Sequence, residues 1–263
     1  MRILLSAILS FAVIALYGQK MVPEATELYL DVPVVTPGEG NAPPSDAIVL
    51  FDGTDVSKFQ MPKFNYGGSM KDYKEMIPQL TAEYEGKPIV WEVKNGEMIV
   101  RPSGGPISTK QAFGDVQLHI EWLAPKVDGK SGQGYSNSGV FLMGLYEVQV
   151  LNSYENPTYS NGQAASIYKQ FAPLVNASRP PDSWQEYDII FTAPKFSDKG
   201  TLIAPARLTV FHNGVLVQNN VALLGPTCYI GATYYIAHPE KLPILIQDHG
   251  DPMRFRNIWV REL

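Results

Sequence analysis

A single cysteine, Cys228, stands in 263 residues. An intramolecular disulfide is therefore impossible, and so is a zinc site built on cysteines. Histidine is scarce as well: His119, His212, His238 and His249 are scattered, with no His-Glu-x-x-His, so no metal centre is expected. No phosphate-cradling glycine loop is present, since Gly132-Gln133-Gly134 lacks the third glycine and the βαβ surroundings. Gly134-Tyr135-Ser136-Asn137-Ser138 ends on serine where a nucleophile elbow ends on glycine, and no helix follows it. Positive charge is not in excess; a net charge of −5 argues against a nucleic-acid partner held by phosphate contacts. With 45% apolar and 18% charged residues, the chain is neither a disordered segment nor a multi-span membrane protein.

Long apolar runs are also missing. The longest, residues 3–17, is broken by Ser6 and Ser10, follows Arg2 and precedes Gly18-Gln19-Lys20. That is short for a bilayer span and right for the core of a signal peptide. Residues 1–18 are read as that peptide, cleaved near Gly18, leaving no stable membrane insertion; an uncleaved membrane anchor is the alternative. A single cysteine in an exported chain fits a bacterial periplasm, or secretion, better than a disulfide-dense extracellular module. Residues 19–46 carry Pro23, Pro33, Pro37, Pro43 and Pro44 and are read as a proline-rich linker.

What remains, residues 47–263, is rich in strand signals. Ala47-Ile48-Val49-Leu50-Phe51 is an apolar strand stopped by Asp52-Gly53. Residues 91–94 and 97–100 flank Asn95-Gly96, which supplies the two positive-φ positions of a type I′ hairpin turn. Residues 116–122 alternate strictly, and residues 140–142 and 146–150 lie on either side of Gly144. Residues 187–191 follow, then 206–211 and 215–217 joined through Asn213-Gly214, then 244–247 and 255–260. The one helical pattern, residues 69–80, contains Pro78 and lies in a stretch, 60–88, that interrupts the strands; it is read as a small, partly helical insertion. About a dozen strands without alternating helices predict an all-β fold, a jelly-roll sandwich of two antiparallel sheets.

Side chains two apart on a strand share a face. Glu147 pairs in this way with Gln149, His119 with Glu121, and Gln247 with His249. Polar-out alternation is the default on a sandwich surface. These faces, however, carry Glu, Gln and His rather than lysine, and such groups can move protons or bind hydroxyls. His212 is read as structural, Trp184 and Trp259 as core residues, and His238 as an exposed loop residue.

Several motifs together resemble the 3-keto-disaccharide hydrolase family. They include Leu50-Phe51-Asp52-Gly53-Thr54, Asn137-Ser138-Gly139-Val140-Phe141-Leu142, Tyr146-Glu147-Val148-Gln149-Val150, Trp184-Gln185-Glu186-Tyr187-Asp188-Ile189 and Gln247-Asp248-His249-Gly250. They run in family order from residue 49 to 263. The resemblance implies a concanavalin-A-like jelly roll. The family's Arg before Tyr-Glu-Val-Gln is Leu145 here and its Asp is Asn152, which reads either as a compensated ion pair or as a changed substrate pocket.

The resemblance further implies a small carbohydrate substrate already oxidised at C3. A ketone at C3 acidifies the C2 proton; a base removes it, the C1 oxygen leaves, and water adds to the enone. The domain needs no cofactor, only a base, an acid and donors to the enolate oxygen. Glu147, His249 and Glu121 are the candidate acid–base groups. Asn137, Gln149, Asn152, Tyr168, Gln247 and Arg254 are the candidate substrate contacts. Two alternatives are a non-catalytic, lectin-like binding module and a retaining glucanase. The second needs paired carboxylates, and Glu147-Val148-Gln149-Val150-Leu151-Asn152 has amides at both later positions.

Overall fold

A computed structural model of the chain describes residues 22–62, 69–80 and 88–263, the last three helical residues by their backbone alone. The expected signal peptide lies outside the described residues. Residues 22–34, part of a separate unit, form one 3₁₀ turn at Pro23–Thr26 and then extended chain. Among the described residues no helix is long and apolar enough to cross a membrane.

Two antiparallel sheets make up the body. The larger orders its strands β13-β12-β9-β6-β15-β4-β3, with β1 also on β15. These are β1 Ile48–Phe51, β3 Glu92–Lys94, β4 Glu97–Ile99, β6 Val116–Leu123, β9 Trp184–Thr192, β12 Arg207–His212, β13 Val215–Ala222 and β15 Arg254–Glu262. The smaller sheet runs β2-β5-β14-β7-β8, from β2 Phe59–Gln60, β5 Ile107–Phe113, β14 Leu242–Ile246, β7 Asn137–Leu142 and β8 Tyr146–Leu151. A two-stranded ribbon, β10 Lys195–Phe196 and β11 Leu202–Ala204, completes the set. The all-β sandwich expected from the strand pattern is present. Both Asn-Gly turns adopt the expected left-handed pair, Asn95 and Gly96 at φ 55° and 78°, Asn213 and Gly214 at 53° and 77°.

Alternation explains the core. Leu118, Ile120 and Trp122 of β6, Tyr187, Ile189 and Phe191 of β9 and Leu208 and Val210 of β12 are all buried on the inner face. Tyr187 fixes one sheet on the other, donating its hydroxyl to the Gln149 carbonyl at 2.8 Å. Within β7 and β8, by contrast, every residue is buried. Val148 and Val150 face the larger sheet's core side, while Glu147 and Gln149 lie on the opposite face, beneath loops and a helix.

That helix, α1 Met70–Leu80, fulfils the expectation of a helical insertion and runs through Pro78 for two further residues. Asp72 reaches back over the first turn, its carboxylate accepting from the Ser69 amide at 2.9 Å, the return half of a capping box, and from the Ser69 hydroxyl at 2.7 Å. Met70, Tyr73, Met76 and Ile77 are its buried stripe.

Residues 35–46, expected as part of the linker, belong to the same compact unit as the sheets. Asn41 donates to Glu186 at 2.7 Å, and its carbonyl accepts from Asn257 at 2.8 Å and from the Trp259 indole at 3.2 Å. Asp46 pairs with the Arg261 guanidinium at 2.7 Å. Proline excludes helix here but does not prevent an extended strap from being pinned by polar side chains.

Candidate active site

β8 is the edge strand of the smaller sheet, and its outer edge is closed by loops. Gln149 donates its amide to the Ser166 carbonyl (3.0 Å) and accepts from the Ala165 amide (2.9 Å). The Glu147 amide donates to the Thr227 hydroxyl at 2.9 Å, and the Thr227 amide donates to Leu145 at 2.8 Å. Edge closure of this kind satisfies the unpaired backbone. Here it also raises walls beside the polar face, enclosing a cavity of about 610 Å³.

Glu147 sits in this cavity, 4% exposed. Burial alone pushes its carboxyl well above the ordinary carboxylate range. Among the described residues no cation pairs with it, and it is the one carboxylate lining the cavity. Tyr73 from α1 lines the cavity as well, its hydroxyl raised by burial and by the nearby Glu147. Asn137 and Gln149 extend the polar floor on β7 and β8, and Gln247 enters from the end of β14. His249 stands exposed at the rim.

The opposite wall is aromatic and cationic. Tyr159 and Tyr168 share a hydroxyl–hydroxyl hydrogen bond of 2.6 Å. The Lys169 ammonium lies 4.2 Å from the Tyr159 ring centre, 5.3 Å from Tyr229 and 5.9 Å from Tyr168. Three π faces hold it by cation–π attraction, and no carboxylate within the described residues pairs with it. Lys169 adopts φ 63°, uncommon for a residue with a side chain, and its amide is tied to the Asn161 carbonyl at 2.8 Å.

Six of the nine residues singled out from sequence therefore line one cavity: Glu147, His249, Asn137, Gln149, Tyr168 and Gln247. Three do not. Glu121 lies on β6 of the other sheet, where Arg256 donates to it at 2.6 Å and Asn257 at 2.9 Å. Burial opposes its charge, but His119, Asn257 and Arg256 outweigh that and lower its carboxyl to about 2. It is a structural anion beneath the Asn41 strap. Arg254 is ion-paired with Glu97 on the same sheet. Asn152 follows β8 directly, its side-chain oxygen accepting from the Tyr154 amide at 3.2 Å.

Leu145 and Asn152 close opposite ends of β8, roughly 20 Å apart at the rise of an extended strand. They cannot replace a mutual ion pair, and that alternative is excluded by geometry. Leu145 is fully buried. Two incidental expectations also change. Trp184 lies on the outer face with the Arg256 guanidinium 4.0 Å from its ring. His238 is half-buried and hydrogen-bonded to the Tyr146 hydroxyl at 2.7 Å.

Phe141 of β7 also lines the cavity; the remaining lining residues, Tyr73, Gln133, Tyr159, Lys169, Thr227 and Tyr229, carry no strand-alternation signal, because they arrive from α1 and loops. Only the adjacency of Lys169 to Tyr168 marked any of them.

A family model described as the 3-keto-alpha-glucoside-1,2-lyase-like domain matches residues 46–261. A crystal structure from Parabacteroides distasonis ATCC 8503, provisionally named a glycosyl hydrolase, is 44% identical with a TM-score of 0.79, over 92% of this chain and 97% of its own. A second structure from that organism under the same provisional name is 15% identical, TM-score 0.52, over 83% of this chain and 94% of its own. A third is 18% identical, TM-score 0.50, over 82% and 99%. The last two show the fold alone. Among curated proteins, none matches the chain.

Proposed function

The chain belongs to the 3-keto-alpha-glucoside-1,2-lyase-like domain family, and from that premise we propose that its cavity cleaves glycosides already oxidised at C3, with Glu147 as the base. The observation that carries the reading is the solitary buried carboxyl. A retaining glycosidase needs two carboxylates about 5–5.5 Å apart, and the described lining offers one. Elimination from a ketone-activated C2 needs one base. Burial makes Glu147 a stronger base, once ionised, than an exposed carboxylate.

Glu147 takes the proton from C2, and the electron pair delocalises onto the C3 oxygen as an enolate. Lys169 and the Tyr168 hydroxyl supply positive charge and a donor for that oxygen. The enolate then reforms the ketone, C1=C2 forms and the C1–O bond breaks. His249 at the rim protonates the leaving oxygen, and water adds across the enone to give the free 3-keto sugar. No nucleophilic adduct with the protein is required.

The test is mass spectrometry of products after incubation with a 3-keto-glucoside and, separately, with the unoxidised glucoside. Cleavage of the first alone is expected. Binding of sugar without turnover of either would sink the enzymatic reading in favour of a lectin-like module. We place the reaction in the periplasm or outside the cell, on the pattern of residues 1–18. Cell fractionation and amino-terminal sequencing check this; a full-length cytoplasmic chain would overturn it.

A further inference from the structure

Gln133 sits in a 3₁₀ turn, Gly132–Gly134, clamped from both sides by Asn156: the Gly132 amide donates to its side-chain oxygen at 2.6 Å, and its nitrogen donates to the Gly132 carbonyl at 3.0 Å. The side-chain nitrogen of Gln133 donates to the Gly162 carbonyl at 2.7 Å and to the Thr158 hydroxyl at 3.1 Å. A carbonyl can only accept, so the Gln133 nitrogen must point to Gly162 and its oxygen must point away. That oxygen accepts from the Gln149 nitrogen at 3.1 Å, which the Gly162 carbonyl also attracts at 3.5 Å. The Gln133 backbone carbonyl accepts from the Asn137 nitrogen at 2.8 Å.

Both floor amides thus give an N–H to Gln133, and Gln149 turns its second toward Gly162. What is left for a ligand is both oxygens and one N–H of Asn137. The Gln149 side-chain oxygen is buried without a partner among the described residues, and an unmet buried acceptor is costly until a donor arrives. We infer that Gln133 is a positioning residue that makes the cavity floor a surface in which acceptors outnumber donors, so that the sugar lays its hydroxyl donors on Asn137 and Gln149 and turns its keto oxygen toward Lys169. The orientation does not rest on an ambiguous amide assignment, because two backbone carbonyls dictate it. This rests on the cleavage reading for the keto oxygen, but the floor's preference for donors holds for any sugar bound there.

Deoxyfluoro sugars test it, since fluorine keeps the size of a hydroxyl but cannot donate. KM and kcat are measured for a 3-keto-glucoside and its 4-fluoro and 6-fluoro analogues, with the wild-type chain and Gln133→Met. In the wild type, at least one fluoro analogue is expected to raise KM about tenfold or more. In Gln133→Met the Gln149 amide can turn its nitrogen outward, so that discrimination should shrink several-fold, while the pH dependence of kcat keeps its position. If Gln133→Met does not fold, Thr158→Val, which loosens one anchor of the same side chain, should reduce the discrimination in the same direction. Equal KM for hydroxyl and fluoro substrates in the wild type, or undiminished discrimination in the variants, would overturn the inference while leaving cleavage intact. If no 3-keto-glucoside is turned over, calorimetric titration with the unoxidised glucoside and its fluoro analogues decides. Discrimination there upholds the acceptor floor although the cleavage reading has failed; its absence overturns the floor too.

Discussion

Gly139 faces the Glu147 carboxyl across the β7–β8 ladder with no space for a methyl group between them. A Cβ at position 139 would collide with the Glu147 oxygen and stand 2.8 Å from the Phe141 ring. The glycine is therefore the cradle of the carboxyl. Gly139→Ala should displace the base and lower kcat/KM by about tenfold or more, a misplacement effect. The melting temperature should fall as well, because the buried Phe141 ring must give way along with the Glu147 carboxyl. Steady-state kinetics and a thermal melt check this; wild-type activity in Gly139→Ala would remove Glu147 from the chemistry.

Glu147→Gln keeps the shape and removes the base, and should lower turnover by about 10²–10⁴-fold. Stability should move the other way. The folded-state pKa of Glu147 is raised, so the folded protein holds a proton that the unfolded chain loses above the ordinary value near 4.5. Wild-type stability therefore drops as pH rises from there, and Glu147→Gln should melt higher at pH 7, with the difference vanishing near pH 4. The kcat profile should rise through an apparent pKa well above 4.5. Parallel melts at pH 4 and pH 7 and a pH–rate series decide both points.

Lys169→Met should lower kcat by about 10²–10³-fold, the cost of losing one stabiliser of a developing oxyanion. Lys169→Arg should recover part of it, since the tyrosine cage accepts a guanidinium. A change confined to KM would show that the ammonium binds substrate without stabilising the enolate.

On the far sheet His119 lies buried between Asp188 at 2.7 Å and Glu121 at 3.7 Å, stacked on Trp259 at 5.2 Å. Burial opposes its charge, but Asp188 and Glu121 prevail and raise it to about 9. A raised histidine stabilises fully below its unfolded value near 6.5, and that contribution is lost as pH rises through about 9. Glu121, lowered to about 2, has the opposite window: its contribution is present above about 4.5 and is lost as pH falls toward 2. Urea-unfolding midpoints should thus fall between pH 7 and 10 in the wild type and stay flatter in His119→Gln. Parallel slopes in the two proteins would show that the imidazolium is not held there.

Restoring the family's arginine should fail. Leu145 is fully buried where the β7–β8 hairpin turns, and Leu145→Arg would bury an unpaired guanidinium, costing several kcal/mol. Soluble yield and melting temperature report this; a stable, active Leu145→Arg would mean that the turn opens to solvent.

Legibility from sequence followed the physics of alternation. β6, β8, β9 and the two Asn-Gly hairpins were readable because period-two burial and positive-φ turn residues leave local marks. β5 was not: Ile107-Ser108-Thr109-Lys110-Gln111-Ala112-Phe113 buries Ser108 and Thr109 through tertiary contacts that its composition hides. β2, β10 and β11, of two or three residues each, are too short to show a period. At the site, the pair Glu147 and Gln149 was visible as a polar face. That this face is roofed over, while the equally polar face of His119 and Glu121 is an ion-paired seat for Asn41, depends on loops whose placement no local pattern encodes.

The Asn41 strap grips the outer face of the larger sheet, whereas the cavity opens on the outer face of the smaller one. The sandwich is thus held at its back. Any tether acting through residue 35, whether a membrane anchor, a neighbouring module or an engineered surface linkage, would pull on a face that takes no part in the chemistry. Its load would enter the fold through Glu186, Asn257 and Arg261 rather than through the strands that carry Glu147.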